Sequence, residues 1–169
     1  MTTKISLKNV HKAFGPKRVL SGVNLDIAKG ESVVIIGGSG TGKSVTLKCI
    51  LGLLTPEQGT IEIDGKNVLN LSPVERERMN DQIGVMFQGA ALFDSLPVWE
   101  NVAFGLLAQR KVNRREARTI ALDKLSLVGM GENIADLSPA DLSFGMQKRV
   151  GLARAIAHDP AVIFFDEPT

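Results

Sequence analysis

The sequence predicts an α/β fold in which an antiparallel β layer is added to a core of alternating strands and helices. Residues 4–10 and 23–27 alternate apolar and polar side chains, which is typical of strands that bury one face. Farther along the chain, short apolar runs at 83–87 and 161–165 are separated by segments whose apolar residues recur at helical spacing. Early alternating strands followed by strand–helix alternation indicate this two-part architecture.

Composition bounds the size and class of the protein. The chain has 169 residues, of which 44% are hydrophobic, so it can bury the core of one domain. A formal net charge of +2 with scattered basic residues does not indicate nucleic-acid binding. The densest basic segment, 110–115, is expected to be a solvated loop and helix start, and the alternative is a contact with phospholipid or nucleic acid. No apolar run approaches the ~20 residues that cross a bilayer. The single cysteine, Cys49, excludes an intrachain disulfide and is expected to be a small buried residue.

The stretch 33–44 organises the rest of the chain. It reads V-V-I-I-G-G-S-G-T-G-K-S, and apolar residues at helical spacing follow it. Val33–Ile36 is predicted to be a short buried strand, and a helix is predicted to begin near Gly42. The loop between them fits the phosphate-binding pattern G-x-x-x-x-G-K-S in the strand–loop–helix context that its mechanism requires. The alternative is a glycine-rich turn before a Lys-Ser helix start, a pattern that arises by chance in about one such chain in a hundred.

The residue types in this loop suit phosphate binding. Glycines allow backbone N–H groups to approach a phosphate, and the N-terminus of the following helix adds unpaired amides and a positive dipole end. Lys43 can reach the β- and γ-phosphate oxygens, and the Ser44 hydroxyl can bind Mg²⁺. The remaining nucleotide-binding candidates in the loop are Gly37, Gly38, Ser39, Gly40, Thr41 and Gly42.

Turn and capping residues predict the elements between this loop and the end of the chain. Thr55–Gly59 breaks the first helix, and 60–63 forms a strand that runs into an Asp-Gly turn. Helices are predicted over 98–107 and after three N-cap residues, which are Ser72, Asn113 and Ser143. The second of these capped helices is expected to bury one face, formed by Ile120, Leu122, Leu125 and Val128.

A second candidate site lies at the end of the chain. The run 161–165 is predicted to be a fully buried strand, and two carboxylates, Asp166 and Glu167, follow it directly. Ligands of open α/β sheets bind at this edge. There Asp166 can hold Mg²⁺, and Glu167 can polarise an attacking water. The alternative is a surface acid pair without a function, and the presence of a phosphate-binding loop argues against it.

In the order and spacing of its motifs the chain resembles the ATP-binding subunits of ABC transporters, over all 169 residues. The loop 37–44 matches Walker A, and 162–167 matches Walker B with its catalytic glutamate. The resemblance implies that Phe14 stacks on adenine and that Gln88 contacts Mg²⁺ and the membrane subunit. It also implies a signature motif that contacts the ATP held by a second subunit, formed by Leu142, Ser143, Phe144, Gly145, Met146 and Gln147.

The resemblance further implies an architecture and a chemistry. The architecture is a RecA-like P-loop NTPase core with an N-terminal antiparallel β layer and a helical signature subdomain over roughly 89–157. The whole chain, 1–169, is then a partial ATP-binding domain. ATP and Mg²⁺ are the implied cofactors, with two Mg-ATP sandwiched between two subunits. Hydrolysis depends on Lys43, Gln88 and Glu167, and the Mg²⁺ ligands are Ser44, Gln88 and Asp166.

Two features depart from the family pattern. Phe144 stands where the signature has a glycine, which adds bulk where close backbone approach is expected. The family also continues beyond Walker B through further strands, a D-loop and a switch histidine, so the resemblance predicts a chain that lacks the C-terminal part of the core. A missing central strand would leave unpaired backbone groups, and apolar side chains that face a gap, at Val33–Ile36 and Val162–Phe165. The 169-residue polypeptide alone is therefore expected to be aggregation-prone or partly folded and to have no ATPase activity above background.

The segment 87–104 indicates a substrate class. It is similar to the corresponding region of the Mla-type ATPases, which drive phospholipid traffic between the inner and outer membranes of Gram-negative bacteria. Leu92, Phe93 and Trp99 either form an apolar groove for a helix of a membrane partner or pack under the helical subdomain. The resemblance implies an ATPase subunit that binds transmembrane permease subunits. It would lie peripherally at the cytoplasmic side of the bacterial inner membrane, without a nucleic-acid partner.

Two other functions fit parts of the sequence. One is a nucleotide-binding remnant that does not turn over ATP. The other is a P-loop nucleotide kinase, which needs a second phosphate-acceptor site, and Leu142–Gln147 fits no such role.

Overall fold

A computed structural model describes residues 2–166 of the chain. The chain divides into two compact units, residues 1–78 and residues 79–169, and each is described by itself. The first unit is built on an antiparallel sheet, and the second combines a parallel strand pair with a cluster of helices.

The sheet of the first unit has four strands in the order β2-β1-β3-β4. Their bounds are β1 Thr3–Phe14, β2 Lys17–Ala28, β3 Gln58–Ile63 and β4 Lys66–Asn67. Strand β1 pairs antiparallel with both β2 and β3, and Ile5 lies opposite Ile63. One face of β1 buries Ile5, Leu7 and Val10, as their alternation with polar residues predicts. The predicted antiparallel β layer is therefore confirmed, with longer strands than the sequence indicated.

The prediction of a buried strand at Val33–Ile36 is wrong. Residues 31–38 have no regular secondary structure, and the side chains of Val34 and Ile36 are 80% and 90% exposed. Within the described part of the chain, this stretch pairs with no strand. A β-strand is stabilised by neighbours that pair its backbone and cover its faces. An apolar run that lacks such neighbours stays extended and exposed, whatever its intrinsic preference.

The first unit also contains the α-helix α1 Lys43–Ile50 and all but the last two residues of α2 Pro73–Asn80. The predicted Ser72 cap is confirmed. The Ser72 hydroxyl donates a hydrogen bond to the Glu75 carboxylate at 2.6 Å and accepts one from the Glu75 amide at 3.4 Å. Helix α1 is shorter than the apolar spacing suggested and ends before the turn at 51–54. Cys49 is fully buried in α1, and this burial raises the pKa of its thiol, as suits a small core residue.

The second unit places two parallel strands beside three helices. Strands β5 Ile83–Met86 and β6 Val162–Phe165 pair in parallel. The helices are α3 Val98–Ala108, α4 Arg114–Leu127 and α5 Phe144–Ala155. All three helices fall within 89–157, the segment predicted as the helical subdomain, whose bounds remain a prediction. In the described part of the chain, no helix has the length and hydropathy needed to cross a membrane.

Helix α4 begins as its capping residues predict. The Asn113 side chain accepts from the Glu116 amide, and the Glu116 side chain accepts from the Asn113 amide, which forms a capping box. The buried face differs from the predicted one, because it consists of Ala117, Ala121 and Leu125. Two alanines one turn apart allow neighbouring helices to approach closely. The bulkier members of the predicted face, Ile120, Leu122 and Val128, are only partly buried at the edge of the core.

Strand β6 is not fully buried, so that prediction is wrong. Its side chains alternate between partly buried and exposed, and Phe165 is 50% exposed. Among the described residues, β6 pairs with β5 alone. Helix α5 packs against β5, whereas Ile163 and Phe165 of β6 keep apolar side chains in contact with solvent.

The sequence allowed Leu92, Phe93 and Trp99 either to form an exposed apolar groove or to pack under the helical subdomain. The structure gives different answers for different residues. Trp99 belongs to the buried helical core, and Leu92 packs partly buried against it. The guanidinium of Arg114 lies 5.1 Å from the centroid of the Trp99 ring and also pairs with Glu100. Phe93 is exposed, and its ring centroid lies 4.4 Å from that of Phe104. The segment 110–115 is solvated at its basic residues, as predicted.

Candidate nucleotide-binding site

The glycine-rich loop of the first unit has the backbone that its residue types predict. Gly40 and Gly42 both have positive φ, 78° and 98°, a region that favours glycine. Gly42 is also sterically constrained, because a Cβ there would lie 2.7 Å from Cδ2 of Leu20 and 3.1 Å from the Val19 carbonyl oxygen. The end of the loop thus packs on β2. At Gly38 and Gly40, by contrast, a Cβ would meet nothing within 4 Å, so this part of the loop is open to a ligand.

The side chain of Lys43 forms hydrogen bonds with the beginning of the glycine-rich loop. It is the first residue of α1, and its Nζ donates to the carbonyl oxygens of Gly37 at 2.7 Å and Gly38 at 2.9 Å. The hydroxyl of Thr41 donates to the same Gly38 oxygen at 2.8 Å. Helix α1 begins at a left-handed Gly42 whose position offers no side-chain cap to the first amides. An ammonium group, a helix N-terminus and an open glycine backbone form a set of groups that fits phosphate oxygens.

Phe14 occupies an exposed position at the end of β1. Its ring is 47% exposed, and the Nζ of Lys12 lies 5.4 Å from the ring centroid. The Glu57 carboxylate accepts hydrogen bonds from Nζ of Lys12 at 2.7 Å and from the Ala13 amide at 2.9 Å. It thereby fixes the two residues that precede Phe14. The hydrogen bond from Lys12 lowers the pKa of Glu57. Sequence reasoning missed Lys12 and Glu57, although Lys12 lies only two residues from Phe14 in the chain.

In the second unit, Gln88 and Asp166 lie at the same edge of the strand pair. Gln88 is exposed two residues after β5, and Asp166 follows β6 directly. The Asp166 amide donates to the Met86 carbonyl oxygen at 2.9 Å. Both residues therefore lie just beyond the carboxyl ends of adjacent parallel strands, where α/β proteins bind ligands. Glu167 lies outside the described residues.

The signature segment forms the start of α5. Ser143 is confirmed as its N-cap, because the hydroxyl accepts from the Met146 amide at 3.3 Å. Leu142 is buried, and the Gln147 side chain donates to its carbonyl oxygen and to that of Pro139. Phe144 is 64% exposed, with the Nζ of Lys148 4.6 Å from its ring centroid. Its ring therefore stands outside the core of the unit, on the surface of the helix start.

Replacing Phe144 by glycine is expected to raise ATP turnover or ATP-dependent dimerisation a few-fold in the full-length protein. The exposed ring contributes little to the core, and glycine would allow the backbone approach that the family signature implies. The measurement is steady-state ATP hydrolysis together with size-exclusion chromatography in ATP. Lys148→Ala is the matched control, because it removes the cation beside the ring and keeps the ring itself. Unchanged or lower values for Phe144→Gly would contradict the expectation.

Each unit thus gathers part of the predicted site. The first unit contains the loop 37–44 and Phe14, and the second contains Gln88, the signature segment and Asp166. Within residues 2–166, no group of three or more His, Cys, Asp or Glu side chains could hold a metal ion by itself. Mg²⁺ often binds through one or two protein ligands together with nucleotide phosphates, so the predicted ligands Ser44, Gln88 and Asp166 suit it chemically. Their role stays a prediction.

Comparison with known sequences identifies relatives over almost the whole chain. A family model described as "ABC transporter" matches residues 20–169. The probable ribonucleotide transport ATP-binding protein mkl of Mycobacterium leprae (strain TN) is 45% identical over 168 residues, which are 99% of this chain and 48% of that protein. The glutamine transport ATP-binding protein GlnQ of Escherichia coli (strain K12) is 45% identical over 165 residues, covering 98% and 68%. Protein TRIGALACTOSYLDIACYLGLYCEROL 3, chloroplastic, of Arabidopsis thaliana is 42% identical over 172 residues, covering 98% and 49%. The chain spans about half the length of the mkl proteins.

Comparison with solved structures also identifies ABC transporter proteins as relatives. The dimeric structure of MJ0796, a bacterial ABC transporter cassette, has a TM-score of 0.88 at 37% identity and covers 98% of this chain and 74% of that one. The cbiO1 protein of Clostridium perfringens, part of the transporter complex cbiONQ, has a TM-score of 0.85 at 30% identity, covering 100% and 67%. The α/β fold predicted from the sequence is therefore confirmed at the level of the chain.

Proposed function

This chain belongs to the ABC transporter ATP-binding family, and from that premise we propose that the whole protein is a transport ATPase that binds and hydrolyses Mg-ATP. The observation that carries the proposal is the loop 37–44, closed around Lys43 at the start of α1. A relative of known structure was solved as a dimeric cassette bound to ADP and Pi. That state is the expected product of the same reaction on this chain.

The loop and the β layer bind the nucleotide. Lys43 exchanges its two glycine carbonyl partners for β- and γ-phosphate oxygens, and the first amides of α1 donate to the same phosphates. Phe14 stacks on the adenine ring, while Glu57 and Lys12 keep the end of β1 in place. When bound at Ser44, Gln88 and Asp166, Mg²⁺ neutralises charge on the phosphates.

Hydrolysis requires two subunits. The N-terminus of α5, with Ser143 as its cap, approaches the γ-phosphate held by the partner subunit. Glu167 accepts a proton from a water molecule, whose oxygen forms a bond to the γ-phosphorus. The bond from that phosphorus to the bridging oxygen then breaks, and ADP and inorganic phosphate leave.

For the transported substrate we propose a phospholipid. The segment 87–104 supports this choice by its similarity to the Mla-type ATPases, and one relative carries the name of a galactosylated diacylglycerol. The exposed pair Phe93 and Phe104 offers an apolar surface for a helix of a permease subunit. In this assembly the protein is peripheral to the inner membrane, at its cytoplasmic side.

Reconstitution tests both parts of the proposal. The full-length protein is purified with its permease subunits, placed in proteoliposomes and supplied with Mg-ATP. We expect ATP hydrolysis that stops when EDTA removes Mg²⁺, together with movement of a fluorescent phospholipid. Ribonucleotides and glutamine serve as competing substrates, because relatives carry those names. Transport of either one instead would contradict the lipid assignment. ATP binding without turnover would support the alternative of a nucleotide-binding remnant.

A further inference from the structure

The backbone after Gln88 adopts an uncommon conformation. Gly89, Ala90 and Ala91 follow one another with φ of 70°, 62° and 45°. Glycine adopts such angles freely, but for alanine the left-handed region is unfavourable because Cβ crowds the backbone. Two consecutive left-handed alanines therefore require contacts from the surrounding structure to hold them.

Arg154, near the end of α5, makes those contacts. Its guanidinium donates to the Ala90 carbonyl oxygen at 2.6 Å and to the Ala91 carbonyl oxygen at 3.0 Å. The same group lies 5.8 Å from the centroid of the Phe93 ring. Burial lowers the pKa of Arg154, but an arginine stays protonated in proteins, so both hydrogen bonds are charge-assisted.

Besides these hydrogen bonds, helices α5 and α3 contact the segment 90–96, which includes the two left-handed alanines. Ala90 is fully buried, and a Cβ at Gly151 would lie only 2.9 Å from the Ala90 Cβ. The helix can therefore approach the turn closely because residue 151 is glycine. Beyond the turn, the buried Asn101 of α3 accepts from the Phe93 amide at 2.7 Å and donates to the Leu96 carbonyl oxygen at 2.9 Å.

We propose that Arg154 is a positioning residue for Gln88, since it holds the left-handed turn that follows Gln88. The proposal rests on the proposed function, in which Gln88 contacts Mg²⁺ and the permease. Helix α5 has twelve residues and is about 18 Å long, with the signature cap Ser143 at one end and Arg154 near the other. The helix that faces the partner's nucleotide thus also sets the backbone after Gln88.

The test combines hydrogen exchange with a mutant cycle on the full-length protein. In Arg154→Met, we expect the amides of residues 88–92 to exchange at least tenfold faster, while the helical core keeps its protection. We expect kcat for ATP to fall about tenfold, with KM changed less than threefold. Gln88→Ala should lower kcat to a similar value, and the double variant should be no slower than Gln88→Ala alone. Arg154→Lys should give intermediate values, because an ammonium lacks the planar fork that spans two carbonyls.

Arg118→Met is the matched control. Arg118 also lies beside an aromatic ring, that of Trp99, and pairs with Asp136 on the surface. In Arg118→Met, the hydrogen-exchange rates of the amides of residues 88–92 and the kcat for ATP should equal those of the parent.

Two results would overturn the proposal. One is an unchanged exchange rate at 88–92 in Arg154→Met. The other is a double variant whose kcat falls by the product of the two single losses. Failure of both Arg154→Met and Arg154→Lys to fold would make Arg154 a core residue instead. If the parent itself hydrolysed no ATP, the proposed function would fail, and the exchange measurement would still decide whether Arg154 holds the turn.

Discussion

Replacing Lys43 by alanine is expected to reduce ATP turnover to background and to weaken ATP binding about tenfold or more. Lys43 holds the loop through the Gly37 and Gly38 carbonyl oxygens and is the proposed partner of the β- and γ-phosphates. A charge-assisted hydrogen bond contributes about 1.5–3 kcal/mol, and 1.4 kcal/mol is a factor of ten in affinity. Alanine is a good helix former, so α1 should still begin at residue 43.

The measurements for Lys43→Ala are ATP hydrolysis and equilibrium binding of a fluorescent ATP analogue to the full-length protein. Lys48→Ala is the matched control, because Lys48 is an exposed lysine on the same helix. The control should bind and hydrolyse ATP like the parent. Hydrolysis by Lys43→Ala within a few-fold of the parent would reject the assignment of this loop as the phosphate site.

Replacing Glu167 by glutamine is expected to separate ATP binding from hydrolysis. Turnover should fall to background, because a carboxamide cannot accept a proton from water. Mg-ATP should still bind, and the dimer should stay closed around it, since the amide keeps the shape of the carboxylate. Glu167 lies outside the described residues, and the prediction rests on its place in the Walker B sequence directly after Asp166.

Three measurements decide this prediction: ATP hydrolysis, ATP affinity and the dimer fraction in Mg-ATP. Glu132→Gln makes the same chemical change at an exposed residue and should leave all three values as in the parent. Hydrolysis at the parent rate in Glu167→Gln would show that another group is the general base. A loss of ATP binding would instead assign Glu167 to the binding of the nucleotide.

The sequence by itself determined the features that depend on near neighbours in the chain. The Asn113–Glu116 capping box, the Ser143 cap and the turn at Gly42 each need only a few consecutive residues of the right type. The alternation at 4–10 likewise specifies a strand with one buried face, because side chains on a strand point to opposite sides in turn. Family membership follows from the same local motifs, and the family model confirms it.

Tertiary structure alone decided which apolar segments are covered. Val33–Ile36 and Val162–Phe165 are both short apolar runs, yet only the second pairs with a strand, and both leave apolar side chains exposed. Trp99 is buried while Phe93 is exposed, although the sequence around them allowed either outcome. Burial depends on which elements lie against a residue, and no local pattern contains that information.

The same reason explains the residues that sequence reasoning missed. Arg154 lies 63 and 64 residues from the carbonyl groups that it contacts, and Glu57 lies 44 residues from the Ala13 amide. Their side chains are ordinary for a helix end and a turn. They gain a role only because helix packing and strand pairing bring distant backbone groups within hydrogen-bond distance. The motif residues could be read from the chain, whereas the residues that hold them in place became visible only in the folded structure.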